Sequence, residues 1–280
     1  MIPRIIGALV RAILVVLMIA TPSLILPGTT ADIAQVVTLV AIFAACLTFI
    51  EYASTYPGLV EFRDAPPFNR VRFGSLFLTV FLMSELTANA LSPSHFGSIV
   101  AEIGATVGTV IEFPYSPVRL VVLMLPPEAP VEHVQLVRDS AGLAYFISLF
   151  TLAVFVVLQR LRRWPTRKGA FNVWVNLPTF DPTAGGDVVE RLERDARFNI
   201  ALGFLLPFLT PAVIKSATSL FGTVSLENPQ TLIWTVAAWA FLPASLFMRG
   251  IAMGRIAMLI TEKRKSSSKE DEGNAGLLPV

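Results

Sequence analysis

Residues 33–52 read IAQVVTLVAIFAACLTFIEY, and the only charge among them is Glu51, next to the end. At 1.5 Å of rise per residue, such a segment covers about 30 Å as a helix, the thickness of a bilayer's hydrocarbon layer. No water reaches that depth to pair with a peptide group, and the helix is the form that pairs them all within one segment. The stretch therefore reads as a transmembrane helix. The same reading applies at 5–26, 71–91, 142–161, 198–221 and 231–250. Composition agrees, because 280 residues with 54% hydrophobic side chains, 15% charged ones and a mean hydropathy of +0.66 cannot make a water-soluble surface. The expected fold is an all-α integral membrane protein with six transmembrane helices in one membrane domain, residues 1–261.

Charge orients the six spans. With six crossings, 19 of the 22 Lys and Arg residues fall on the side of the N-terminus, the 53–70 loop, the 162–197 loop and the C-terminal tail. Arg119, Arg138 and Lys215 are the other three. Positive charge accumulates on the cytoplasmic side, so both termini are expected there, in a bacterial inner (cytoplasmic) membrane. The first helix follows Arg4 and contains Arg11, as a signal peptide does, but the 5–26 run is long for a signal core and is expected to stay uncleaved.

Two segments outside the spans carry structure. Residues 92–139 are too apolar for an ordinary loop and too interrupted for one more crossing. They read as a helical hairpin that either re-enters the outer leaflet or lies on it. The 162–197 loop becomes helical from Asp187, where Asp187 and Arg191, Glu190 and Arg194, Arg191 and Asp195, and Glu193 and Arg197 stand at i, i+4. Val189, Leu192, Ala196 and Ile200 form an apolar stripe that runs into the fifth span, so an amphipathic cytoplasmic helix continuous with that span is expected. The Lys-, Ser- and Glu-rich tail, 262–280, reads as disordered.

Candidate chemistry is sparse. A net charge of +2 excludes a nucleic-acid surface, and the single Cys46 excludes an internal disulfide. No catalytic motif is present, and His95 and His133, with Glu128 and Glu132 beside the second, are too few to define a metal site. Neither an enzyme nor a cofactor is expected. The best pointers are ionisable residues inside spans, where a charge costs about 2.5–3.5 kcal/mol on insertion scales. Glu85 in the third span and Lys215 in the fifth stand at matched depths and are candidates for a pair. Pro207 and Pro211 predict a kink with freed carbonyls near Leu206 and Thr210. Gly104 with Gly108, and Gly250 with Gly254, form small-residue pairs suited to close helix packing. Together these favour a pore or carrier for a small solute or ion. The alternative is a non-catalytic accessory or assembly subunit of a larger membrane complex. The expected partners are the lipid bilayer and either further copies of the chain or other membrane subunits.

Overall fold

The computed structural model describes residues 2–161, 164–165, 171–181, 183, 185–221 and 226–275. Among them the chain is helical throughout, with no strand. The elements are α1 (Ile2–Ile25), α2 (Ala31–Ala53), α3 (Phe68–Leu91), α4 (His95–Ile111), α5 (Pro117–Val122), α6 (Val131–Leu161), α7 (Val173–Asn176), α8 (Val188–Phe221) and α9 (Pro229–Ala275). Six of them, α1, α2, α3, α6, α8 and α9, are long and apolar enough to cross a membrane. The chain is therefore a multi-pass membrane protein.

Local signals start the helices. Thr30 caps α2 by accepting from the Ile33 N–H, Ser94 caps α4 through the Gly97 N–H, and Ser116 caps α5 through the Arg119 N–H, with Pro117 following at the first helical position. The helices then alternate in direction. At one end Glu61 meets Arg249 and Asp187 meets Arg264; at the other, Gln230 meets Ser23 and Lys215 meets the Leu123 carbonyl. The first is called the basic end below, and the second the far end.

α3, α6 and α9 form the centre. Val80, Met83, Ala144, Ile233, Val236 and Ala237 fill it, and α1 with α2 leans against its side. The last nine residues of the 92–139 segment already belong to α6, and neither helix before them has the length of the six spans. α4 has 17 residues and packs on α3 and α6, and the short α5 packs on α6 and α8. Gly104 faces Leu86 and Asp139, while a Cβ on Gly142 would lie 2.5 Å from the Gly108 Cα. Gly142 is thus the counterpart of the Gly104–Gly108 pair. Gly250 meets the Ala196 carbonyl and Ile200, and Gly254 faces Ala196, so this pair packs α9 on α8.

α8 is continuous from Val188 into the fifth span, as its pattern predicts, and buries Leu192 and Ala196. None of its four i, i+4 charge pairs is an ion pair, however. Asp187 instead accepts from the Val189 and Glu190 N–H groups and from Arg264, and Arg191 donates to the Asp181 carbonyl. Exposed pairs contribute only tenths of a kcal/mol and yield to a cap or a tertiary contact. Over 262–275 α9 continues to Ala275. Extending an existing helix needs no new nucleus, and Arg264 is held by Asp187. Residues 276–280 and the bases Arg162, Arg163, Arg167 and Lys168 lie outside the described residues.

Substitution Gly142→Ala should lower stability by about 1–3 kcal/mol, because the new methyl meets backbone that cannot rotate away. Gly74→Ala meets open space within α3 and should leave stability unchanged or raise it by about 0.5–1 kcal/mol. Thermal unfolding of both variants in detergent checks the contrast; equal midpoints would refute the close α4–α6 contact.

Candidate functional site

The polar groups inside the spans are largely hydroxyls. Ser75, Thr79, Ser84 and Thr87 on α3 are buried, as are Ser140, Ser148 and Thr151 on α6. Thr79 and Ser84 donate to carbonyls four residues back, Thr151 lies 2.8 Å from the Ser75 hydroxyl, and Ser148 donates to the Ala240 carbonyl at 3.0 Å. Thr87 Oγ1 and Ser140 Oγ are buried without a hydrogen-bond partner among the described residues. Outside this core, an open apolar groove of about 460 Å3 runs along α3 and α6 from Val71 and Val154 toward Leu82 and Leu143.

The structure does not unite the sequence candidates. Glu85 is half-buried on α3 and forms no ion pair with Lys215. The physical reason is topology: α3 packs on α1, α4, α6 and α9, whereas α8 packs on α9 and α5. Lys215 donates to the carbonyl of Leu123 at the C-terminal end of α5, where a cation complements the partial negative charge of the helix terminus. Pro207 and Pro211 have no N–H for the residues four positions back, so the carbonyls of Gly203 and Pro207 are released; the second, next to Leu206, accepts from the Trp239 indole N–H at 3.1 Å.

The charged constellation that the fold assembles lies at the basic end. The Glu61 carboxylate receives Arg249 through both Nε and Nη2, at 2.6 and 2.9 Å, and also accepts from the Thr179 hydroxyl at 2.6 Å. This fork–fork geometry is the strong form of an ion pair. It joins the 54–67 loop to α9 beside an aromatic cluster of Phe62, Phe68, Phe155 and Trp164. Arg72, one turn into α3, has its guanidinium 5.4 Å from the Phe68 ring and 5.8 Å from that of Phe241. Its Nε is buried without a hydrogen-bond partner among the described residues, so two aromatic faces stand where a carboxylate would be expected.

Glu51, in the last turn of α2, points its carboxylate at three successive backbone N–H groups, those of Gly58, Leu59 and Val60 at 2.9–3.1 Å. Arg63 covers the end of the same helix, donating to the Glu51 and Ser54 carbonyls at 3.2 and 2.7 Å. Outside the spans, the Arg264 guanidinium beside Asp187 holds that carboxyl below the usual range, helped by the Val189 and Glu190 amides. Sequence reading missed Arg72, Arg249 and Glu61. The first two sit near span ends, where arginine normally extends into the headgroups, and the third lies in a loop.

No protein-family model matches the chain, and no curated protein or solved structure is significantly similar to it.

Removing one partner of the Glu61–Arg249 pair, by Glu61→Gln or Arg249→Met, should each cost about 2–4 kcal/mol, because the remaining charge is only partly exposed. The double variant should recover part of that loss. A double-mutant cycle on thermal or denaturant stability checks this, and additive losses would show that the two groups do not interact.

Proposed function

We propose that the chain is a non-catalytic subunit of a membrane complex, with α2 as a lateral helix that other subunits or copies contact. The observation that carries the reading is the placement of α2. It is 23 residues long, only 6% of its apolar window is buried, and among the described helices it packs chiefly on α1. The fate of the polar groups described above supports the same reading. Lys215, the Pro207 carbonyl, Glu61 and Arg249 are each occupied by another part of the chain. In this reading both termini are cytoplasmic, on the 19 to 3 distribution of basic residues, and α4 and α5 occupy the outer leaflet of a bacterial inner membrane.

A carrier for a small anionic solute is the second reading, and Arg72 favours it. A guanidinium that forms no ion pair among the described residues, beside the hydroxyl-bearing face of α3, has the chemistry to meet an anion. Liposome flux separates the two. Transport of any anion by the wild-type protein, lost in a folded Arg72→Gln variant, would favour the carrier and displace the subunit reading.

Cys46 supplies a direct test, since it is the only cysteine and is exposed on α2. A photoactivatable maleimide placed there in native membranes should give a protein adduct of one defined mass, reproduced on co-purification at fixed stoichiometry. Adducts with lipid alone would refute the proposed role of α2. The orientation is tested by labelling with an impermeant thiol reagent in a Cys46→Ser background. Asp32→Cys should react from the periplasm and Thr183→Cys should not; the reverse pattern would invert the topology.

A further inference from the structure

At the basic end, where α1 begins and α2 ends, the two helices border a polar pocket of about 320 Å3, whose lining includes Arg4, Gly7, Arg11, Tyr52, Arg63 and Asp64. Its arginines differ in what they are free to do. Arg63 is committed: its side chain is 6% exposed, it covers the carbonyls at the end of α2, and it pairs with Asp64 at 3.2 Å. Arg4 and Arg11 stand in no ion pair among the described residues. Arg4 donates through Nε to the Tyr52 carbonyl at 3.4 Å. Arg11 donates to the Gly7 carbonyl at 2.6 Å, reaches the Tyr52 hydroxyl, and rests 4.6 Å from the centre of its ring. Each guanidinium carries five N–H donors, so both retain donors beyond these contacts.

The pocket's charge is also uncancelled. Three arginines and one aspartate leave a net +2, and the nearby Glu51 is occupied by the amides of residues 58–60. Arg4 and Arg11 are seven residues apart, two helical turns, and therefore project on one side of α1 with about 10 Å between them along the axis. The stripe of α1 that borders them is apolar and open, with Val10, Leu14 and Leu17 between 40% and 50% exposed. A ligand held by both arginines thus has a polar seat and, alongside it, a hydrocarbon-facing helix surface.

We propose that this pocket seats the phosphate of an anionic phospholipid, with Arg4 and Arg11 donating to its oxygens and the acyl chains lying along the exposed flank of α1. The apolar flank selects a lipid over a free anion, since inorganic phosphate would make no use of it. The inference is independent of which functional reading holds, because it concerns the α1–α2 hairpin and not Arg72.

The test uses the full chain in phosphatidylcholine vesicles with and without phosphatidylglycerol, read by thermal stability and by the phospholipid retained on purification. Phosphatidylglycerol should raise the midpoint and co-purify, and the apparent affinity should fall about tenfold or more in Arg4→Gln with Arg11→Gln, each lost charge-assisted contact contributing. Arg70→Gln, which removes an exposed charge at the same end, should respond as the wild type does. The midpoint in phosphatidylcholine alone reports whether each variant is folded, and Arg11→Lys should retain part of the response. An undiminished phosphatidylglycerol response in the folded double variant would overturn the site. Equal protection by inorganic phosphate in detergent, abolished by the same substitutions, would overturn the lipid assignment.

Discussion

A peptide group in hydrocarbon must be hydrogen-bonded, and the interior of this protein is organised around the places where helices fail to do so. Pro211 leaves the Pro207 carbonyl without its usual donor, and an indole from α9 supplies one. That contact requires α8 and α9 to run close together, which Gly203 permits, because a Cβ there would lie 2.8 Å from the Pro243 carbonyl and 2.9 Å from the Phe247 amide. Ser148 also reaches across from α6 to the Ala240 carbonyl, one residue past the Trp239 carbonyl whose helical donor Pro243 removes. Broken helices in a membrane often mark a binding site. In this bundle the released Pro207 carbonyl and the Trp239 indole that binds it belong to the same buried, packed interface.

The spans were legible because hydropathy is a local property: twenty apolar residues mean the same thing wherever they occur. The continuity of α8 was legible for a similar reason, since Leu192 and Ala196 follow the period of the helix that enters the span. Contacts between distant residues were not. Nothing in the surroundings of Arg249 indicates Glu61, which lies 188 positions away in a loop, and nothing near Gly108 indicates Gly142 as the residue it touches. Lys215 could not be matched to its acceptor because a backbone carbonyl has no residue identity. Matched depth made Glu85 a reasonable partner, but depth is one coordinate of three, and the packing order of the helices supplied the other two.

The two ends of the bundle solve different problems. At the far end, capping side chains and glycine contacts hold short helices against longer ones. At the basic end, the chain builds a compact aromatic core like that of a small soluble domain. Trp164 donates to the Ala65 carbonyl, and Asn176 binds both the Phe62 and Asp64 amides, although Phe62 has a φ of +52° that side-chain-bearing residues seldom adopt. The 54–67 loop is thereby fixed to Trp164 and to the 171–181 segment and, through Glu61, to α9.

Glu51 gives this arrangement a mechanical meaning. Its carboxylate is rigidly part of α2, the helix with the least support from the bundle, and it holds the backbone of residues 58–60, which lead directly into Phe62 and the aromatic core. A tilt or rotation of α2 in the plane of the membrane therefore pulls on that loop, as a lever pulls on a linkage. Lateral strain on α2 and the packing of the aromatic core are joined through one side chain.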